Sequence, residues 1–577
     1  MALLLKKVER PRELKWFHAS SMLYGDWGTS KAYVLGLAFA IAGHASMFFL
    51  LAMSILTATI GFCYVIICKA YPDGGGVYSA VRHRSKTLAV IGALLLVADY
   101  VVTASLSSLD AFHYLGLSHP ALWAIGALAL IGILNIVGPK GSGTAATFIA
   151  FVVITLLVTL SIIVLPHIRD IQITVPQGSF FSNWTKFVGI VLALSGVEAI
   201  ANVTGIMVEP VEKTAKHAIL PVLLEVTVIS LILGAAMNSI PNLAGHTEDM
   251  IRVIGEHFIG RWFGHLIAIS LGLLLLSACN TAIMGLISIT FLMSKDKELP
   301  PIFSDLNRYG MPWFGLLLAV VAPILVLLLE HEVTHLAALY AIGVVGAITI
   351  NLGACCTNFN LKLKINERLL LGVSAFIMVF VECTIIYQKH NAVLFAATVL
   401  AIGMLARAVG KWIEKRKAAM PVPELGINVL SLEEARDLMP LYRGSTLVAM
   451  KAVSASLVDE ASLHAKGKGE SVIYSLFIEE KPPGWAYPTE VEPSQEAVQV
   501  LNQAVQEFEK RGITSVPLWN LGDNAGMLIV KTAKDLNLDT VMIGSTKRGT
   551  VERLLRGEVL KTVSEQLPPD KHLVICN

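Results

Sequence analysis

Long apolar runs of about twenty residues or more, separated by short polar stretches, dominate the first four hundred positions. They fall near 20–42, 46–70, 87–114, 121–138, 144–165, 185–208, 217–240, 262–293, 313–330, 334–356, 367–387 and 391–410. A helix of about 20 apolar residues crosses the hydrocarbon of a bilayer, and its backbone satisfies itself there. The pattern therefore predicts twelve membrane-spanning helices. Two runs are interrupted. The first contains Tyr24–Gly25–Asp26–Trp27–Gly28–Thr29–Ser30–Lys31, and the sixth contains Ser195–Gly196–Val197–Glu198. Each puts glycine and an acid at membrane depth. Glycines loosen a helix and free backbone carbonyls. The interruptions lie five segments apart, as expected of two inverted repeats of five helices with two more added. Paired interruptions of this kind point to a binding site at the membrane midplane.

The pattern changes after residue 418. Pro421 and Pro423 open a polar connector over 419–439. From 440 to 577, short apolar strands at Thr446–Met450, Ser471–Ile478, Ser515–Leu518, Thr540–Ile543 and His572–Cys576 alternate with helical patterns near 494–511, 524–537 and 551–567. Strands alternating with helices predict a parallel sheet covered on both faces. The chain is thus divided into a transmembrane domain over 1–418, a linker over 419–439 and an α/β domain over 440–577.

Composition agrees with the pattern. Of 577 residues 55% are apolar, and mean hydropathy is +0.66, as for a polytopic membrane protein rather than a soluble one. Net charge is only +2, so the overall charge gives no reason to expect a nucleic-acid partner. The placement of charge says more. Lys6, Lys7, Arg10, Arg12 and Lys15 precede the first run. The even-to-odd connections carry Lys69, Arg82, Arg84 and Lys86; Lys140; Lys213 and Lys216; Lys295, Lys297 and Arg308; Lys362, Lys364 and Arg368. The opposite connections hold only Arg169, Lys186, Arg252, Arg261 and Lys389. Positive charge marks the cytoplasmic side, so both termini are expected in the cytoplasm, with the chain multi-pass in the plasma (inner) membrane and the lipid bilayer as its partner. No short apolar region with a small-residue cleavage site precedes the first run, so no cleaved signal peptide is expected. The seven cysteines show no paired spacing and are read as small buried hydrophobes. His44, His113 and His119 are expected in outside loops or at helix ends.

Chemistry concentrates in a few segments. Asp26 and Tyr33 come from the first. In the third, Asp99, Thr103 and Ser107 recur every four residues, which places three oxygen-bearing side chains on one helix face. The sixth adds Ser195 and Glu198, the eighth Asn280 and Thr281, and the tenth Tyr340. Carboxylates and hydroxyls suit a hard cation, and clustered acids repel one another, so one of Asp26, Asp99 and Glu198 is expected to carry a proton. Mid-membrane acids are functional candidates by default. Glu225 and Glu382 lie outside any motif and are set lower. Lys31 is the exception in the first segment: its ammonium would either replace a cation beside Asp26 or lie one turn on, facing an exit path.

Tyr24–Gly25–Asp26–Trp27–Gly28–Thr29–Ser30 with Tyr33–Val34–Leu35 resembles the first-helix signature of the Kup/HAK/KT potassium uptake family, which usually has proline where Lys31 stands. The wider layout resembles the KimA-type potassium importers of the amino acid–polyamine–organocation superfamily. It rests on Tyr71–Pro72–Asp73–Gly74–Gly75–Gly76–Val77–Tyr78, Asp99–Tyr100–Val101–Val102–Thr103, Ser195–Gly196–Val197–Glu198–Ala199–Ile200–Ala201–Asn202 and Leu339–Tyr340–Ala341–Ile342–Gly343. The resemblance implies a twelve-helix, LeuT-like fold of two inverted repeats and proton-coupled potassium uptake. It implies Asp26, Tyr33, Asp99, Thr103, Ser107, Ser195, Glu198 and Tyr340 as the potassium ligands, Ser195 standing where threonine is usual.

The tail resembles a universal stress protein domain, whose nucleotide loop reads G-x2-G-x9-G-[ST]. Gly544 and Gly557 match in spacing. Lys547 replaces the middle glycine, Glu558 the final hydroxyl, and Lys451 the acid usual after the first strand. The resemblance implies an adenine nucleotide or cyclic-di-AMP as ligand of the tail, near Gly544, Lys547, Arg548 and Gly557, and a homodimer formed through it. No other cofactor is expected. An amino-acid or other small-solute carrier on the same fold, and a non-transporting sensor signalling through the tail, are the alternatives. With no nucleophile–base pair, no metal-ligand spacing and no intact phosphate loop, an enzyme is not expected.

Overall fold

The computed structural model describes residues 12, 14–136, 142–170, 174–240, 243, 245–307, 311–419, 444–480, 493–522, 524–544 and 559–576. The helical part and the C-terminal part form separate compact units.

The helical unit is built from α1 (Trp16–Trp27), α2 (Ser30–Ala42), α3 (Ser46–Ala70), α4 (Val77–Val81), α5 (Lys86–Tyr114), α6 (Pro120–Asn135), α7 (Ser142–Val164), α8 (Phe180–Gly189), α9 (Ala199–Asn202), α10 (Val211–Met237), α11 (Met250–Phe258), α12 (Arg261–Lys295), α13 (Trp313–Leu329), α14 (Val333–Thr357), α15 (Ile365–Gln388) and α16 (His390–Ala419). Apart from short breaks at 28–29 in the first run and around 195–198 in the sixth, the apolar runs are mainly helical where they are described. Among the described residues eight helical stretches are long and apolar enough to cross a membrane, or nine if Phe180–Gly189 and Val191–Ile206, which meet at 48°, make one crossing. The stretch Trp16–Ala70 is one of the eight and contains α1, α2 and α3; α6 and α13 are apolar but shorter.

Burial separates a polar-bearing interior from an apolar exterior. α5 packs along α12 and α14 and is buried from Val97 to Ala111 without interruption. A helix enclosed on all sides has room for carboxylates that a lipid-facing helix could not hold. On the outer helices the exposed side chains are large and apolar: Phe148, Phe151, Leu328, Phe376 and Leu405 are each about two-thirds exposed. That is the surface of a multi-pass membrane protein.

Helix ends follow local chemistry. Ser85 caps α5 by accepting from the Leu88 N–H at 3.2 Å. Ser179 caps α8 in the same way, and proline opens α6, where a missing N–H costs nothing. His44, His113 and His119 all lie at helix ends. All seven cysteines are unpaired. Five are buried, but Cys356 is half-buried and Cys383 exposed, which corrects the expectation that all would be interior.

The C-terminal unit is a five-stranded parallel sheet in the order β3-β2-β1-β4-β5. Its strands are β1 (Thr446–Ala449), β2 (Val472–Glu480), β3 (Thr514–Gly522), β4 (Thr540–Gly544) and β5 (His572–Cys576). α17 (Ala455–Gly467), α18 (Gln495–Glu509), α19 (Ala525–Asp535) and α20 (Val559–Gln566) cover it. Alternate residues feed opposite faces: Leu447, Tyr474, Leu476 and Val541 pack with Ile529 and Val563, while Val448, Ile473 and Met542 pack with Val458, Ala461 and Phe508. Pro517 sits inside β3 opposite Ser475. β3 is an edge strand, so its missing donor leaves no ladder bond unmade.

α17 is an element the sequence pattern did not reveal. Its buried residues Leu457, Val458, Ala461 and Ala465 recur at helical spacing, but serines, acids and lysines between them hide the stripe.

Candidate functional site

The first interruption is tighter than two glycines predict. α1 ends at Trp27 and α2 begins at Ser30, yet Gly28 and Thr29 both keep right-handed helical angles. The carbonyls loosened there are taken up at once. Thr29 Oγ1 donates to the Asp26 carbonyl at 2.5 Å and Ser30 Oγ to the Trp27 carbonyl at 2.8 Å. Hydroxyls thus occupy the backbone oxygens expected to be open to a cation.

The sixth segment breaks over a longer stretch. After the turn Val191–Leu194 the chain leaves helix at Ser195, and Gly196 takes φ +86° before α9. Only glycine adopts that angle without strain. It is also pressed directly against the first interruption: a Cβ at Gly196 would stand 2.5 Å from the Trp27 backbone nitrogen and 2.9 Å from the Asp26 carboxyl carbon. The two breaks meet with no side chain between them.

The acids gather around that contact. Asp26, Asp99 and Glu198 come from α1, α5 and the sixth segment, and each is at least 95% buried. Asp99 lies close enough to Glu198 and Asp26 to feel their charge, and Thr103 and Tyr340 lie beside it. Tyr33 lies beside Thr29 and Ser195 and within electrostatic range of Asp26. Tyr340 is brought to Asp99 by close helix packing: a Cβ on Gly343 would come 2.9 Å from the Asp99 nitrogen, so α14 approaches α5 backbone to backbone. Both Glu198 oxygens and Ser195 Oγ are buried without a hydrogen-bond partner.

Seven of the eight residues expected as ligands therefore share one region. Thr103 spends its hydroxyl on the Asp99 carbonyl at 2.9 Å, with Asp99 Oδ1 at 3.3 Å. Ser107 is buried on the same face of α5, but no contact joins it to the acids among the described residues. Asn280 and Thr281 are not part of the group: Asn280 accepts from Asn135 at 2.7 Å, and Thr281 bonds back to Ser277. Among the described residues no three His, Cys, Asp or Glu side chains converge closely enough to hold a metal ion. A cation here would be held by one or two carboxylates together with hydroxyls.

Lys31 does not replace a cation at Asp26. Its ammonium sits 2.5 and 2.6 Å from the two Glu225 carboxylate oxygens. It also lies 3.1 Å from the Tyr24 hydroxyl, which donates to Glu225 at 3.0 Å. The Tyr24 ring stands under the same ammonium at 4.8 Å. Glu225, on α10, thereby holds one residue before the break and one after it. Sequence reasoning set Glu225 low because it lies outside any motif, and its partner is 194 positions away; Lys31 itself, a buried cation needing an acid, was the available signal.

The Tyr71–Tyr78 stretch is hydrogen-bonded to the sixth segment. Gly75 donates its N–H to the Ala201 carbonyl at 2.9 Å, and its own carbonyl accepts from Asn351 at 3.1 Å. Arg12 reaches the Pro72 and Thr204 carbonyls and Asp73.

In the C-terminal unit Gly544 ends β4. Lys547, Arg548 and Gly557 lie outside the described residues.

A family model described as amino acid permease matches residues 14–411, and one described as universal stress protein family matches residues 446–570. The potassium transporter KimA of Bacillus subtilis (strain 168) is 26% identical over 417 residues, which cover 66% of this chain and 68% of that protein.

Proposed function

The chain belongs to the amino acid permease family, and from that premise we propose that it is a secondary active transporter that takes up potassium with protons by alternating access. The observation that carries this is the enclosure of Asp26, Asp99 and Glu198, three buried carboxylates from three elements within electrostatic range of one another, with Lys31 already paired to Glu225. Three acids enclosed together cannot all stay charged. A monovalent cation and a proton between them would offset most of the group's charge. The potassium transporter relative favours that ion.

Potassium would shed water and take oxygens from Asp26, Tyr33, Asp99, Thr103, Ser107, Ser195, Glu198 and Tyr340 in changing subsets as the site opens to each side. The proton would reside on Asp26, Asp99 or Glu198. The two interrupted segments would be corresponding members of inverted repeats of five in a LeuT-like, twelve-span arrangement. That count treats Trp16–Ala70 as two crossings, the bent pair as one, and α6 and α13 as crossings too. The loop charges would put both termini in the cytoplasm, and the tail would pair two copies. A nucleotide on the tail would have to tolerate Lys547 and Glu558 in its phosphate loop.

An amino-acid substrate is the competing case, because the family is described by it. A substrate carboxylate would meet Asp26 and Glu198, which repel it. Full-length protein in proteoliposomes separates the two. Potassium uptake driven by an inward proton gradient, abolished by a protonophore and not competed by amino acids, is the expected result. Labelled amino-acid uptake without potassium uptake would overturn it.

A further inference from the structure

One buried acid of α5 is not used above. Asp110 is fully buried, and both its carboxylate oxygens lack a hydrogen-bond partner. It lies eleven residues after Asp99, three helical turns on, so both project from one face of α5 about 16 Å apart along the axis. Thr103 and Ser107 occupy the same face between them.

The surroundings of Asp110 connect the site to one end of the bundle. Tyr33 lies within electrostatic range of both Asp26 and Asp110. Glu248 and Asp249, of the loop before α11, also lie within electrostatic range of Asp110. Those two acids are partnered: Glu248 by His113 at 2.6 Å, and Asp249 by His246 at 3.0 Å and Arg252 at 3.7 Å. Asp110 alone of the three has no cation beside it among the described residues. Tyr114, one turn on, spends its proton on the Ala32 carbonyl at 2.7 Å, leaving its oxygen able to accept.

We propose that Asp110 is a second binding position for the transported monovalent cation, on the outer approach to the main site. The inference rests on the transport reading above and adds a station to it. An unpartnered buried carboxylate is costly. A partly dehydrated alkali cation resting there would offset that cost and be handed inward past Tyr33 and Ser107.

The test uses rubidium as probe on purified full-length protein. Equilibrium binding should give two rubidium ions per chain in the wild type and one in Asp110→Asn. In proteoliposomes Asp110→Asn should raise the KM for external rubidium about tenfold. Asp110→Ser, which lacks the amide, should do the same, and size-exclusion profiles like the wild type exclude misfolding in both. Two ions bound by Asp110→Asn, with an unchanged KM, would overturn the second position while leaving the transport reading standing. That outcome would mean that Asp110 is a neutral acid in the structure. A wild type that binds no rubidium at all would overturn both.

Discussion

Asp26 and Glu198 lie within electrostatic range of each other near the contact of Gly196 with the first break, and neither has an ion-pair partner among the described residues. If they hold the cation and proton, neutral isosteres remove function without removing volume. Asp26→Asn and Glu198→Gln are each expected to abolish rubidium uptake in proteoliposomes while eluting as monodisperse protein; full uptake by either variant would be inconsistent with the assignment. Lys31 gives a different kind of result. Lys31→Met leaves Glu225, 11% exposed, beside Tyr24 without its cation, and breaking a buried pair costs about 3–5 kcal/mol. A clear drop in melting temperature is expected, most of it recovered in Lys31→Met with Glu225→Met, since a well-packed apolar pair can replace a buried ionic one. A double variant no more stable than the single would show that the pair is not the source of the loss. The acids were legible as residues because a carboxylate in an apolar run has few bland explanations. Their partners were not: the Lys31–Glu225 pair depends on α10 lying against α1 and α2, which no local pattern encodes. Asp110 was passed over although it repeats the Asp99 face at an eleven-residue interval.

The helices were readable from hydrophobic length, and the two interruptions from glycine beside an acid. The form of each interruption was not. Thr29 and Ser30 close the first break with side-chain hydrogen bonds, whereas the second is held open by one left-handed glycine. The difference arises from the hydroxyls of Thr29 and Ser30, which the sequence reading did not count among the ligands. Gly196→Ala tests the element-level claim. The added methyl has no space against Trp27 and must adopt φ +86°, so a loss of about 1–3 kcal/mol in stability is expected together with loss of uptake. Gly343→Val should push α14 from α5 at Asp99 and lower uptake with less effect on folding. Wild-type uptake by either variant would mean that the packing does not set the site. In the tail, strand alternation gave the parallel sheet, while α17 escaped because its apolar stripe is narrow and its intervening residues are those of a loop.

At the level of the molecule, the change from apolar runs to alternating strands separates a membrane part from an α/β part, and each matches its own family model. Deleting residues beyond 420 is expected to convert a dimer to a monomer in detergent, measured by light scattering, without abolishing uptake. A full-length protein that is already monomeric, or a mass unchanged by the deletion, would overturn pairing through the tail. Uptake should also allow a potassium-auxotrophic strain to grow at low external potassium.

The contact of Gly196 with Asp26 and Trp27 has a mechanical consequence. Side chains between two helices form a compressible layer with alternative rotamers, so helices packed through them can slip. Here backbone meets backbone, and not even a methyl group fits. The two interrupted segments can therefore pivot about this point but cannot slide past it. Asp26 and Glu198, carried on either side of the pivot, would stay close to one another while the outer parts of their helices swing, so the walls around a bound ion could change sides more readily than the ion's nearest charges.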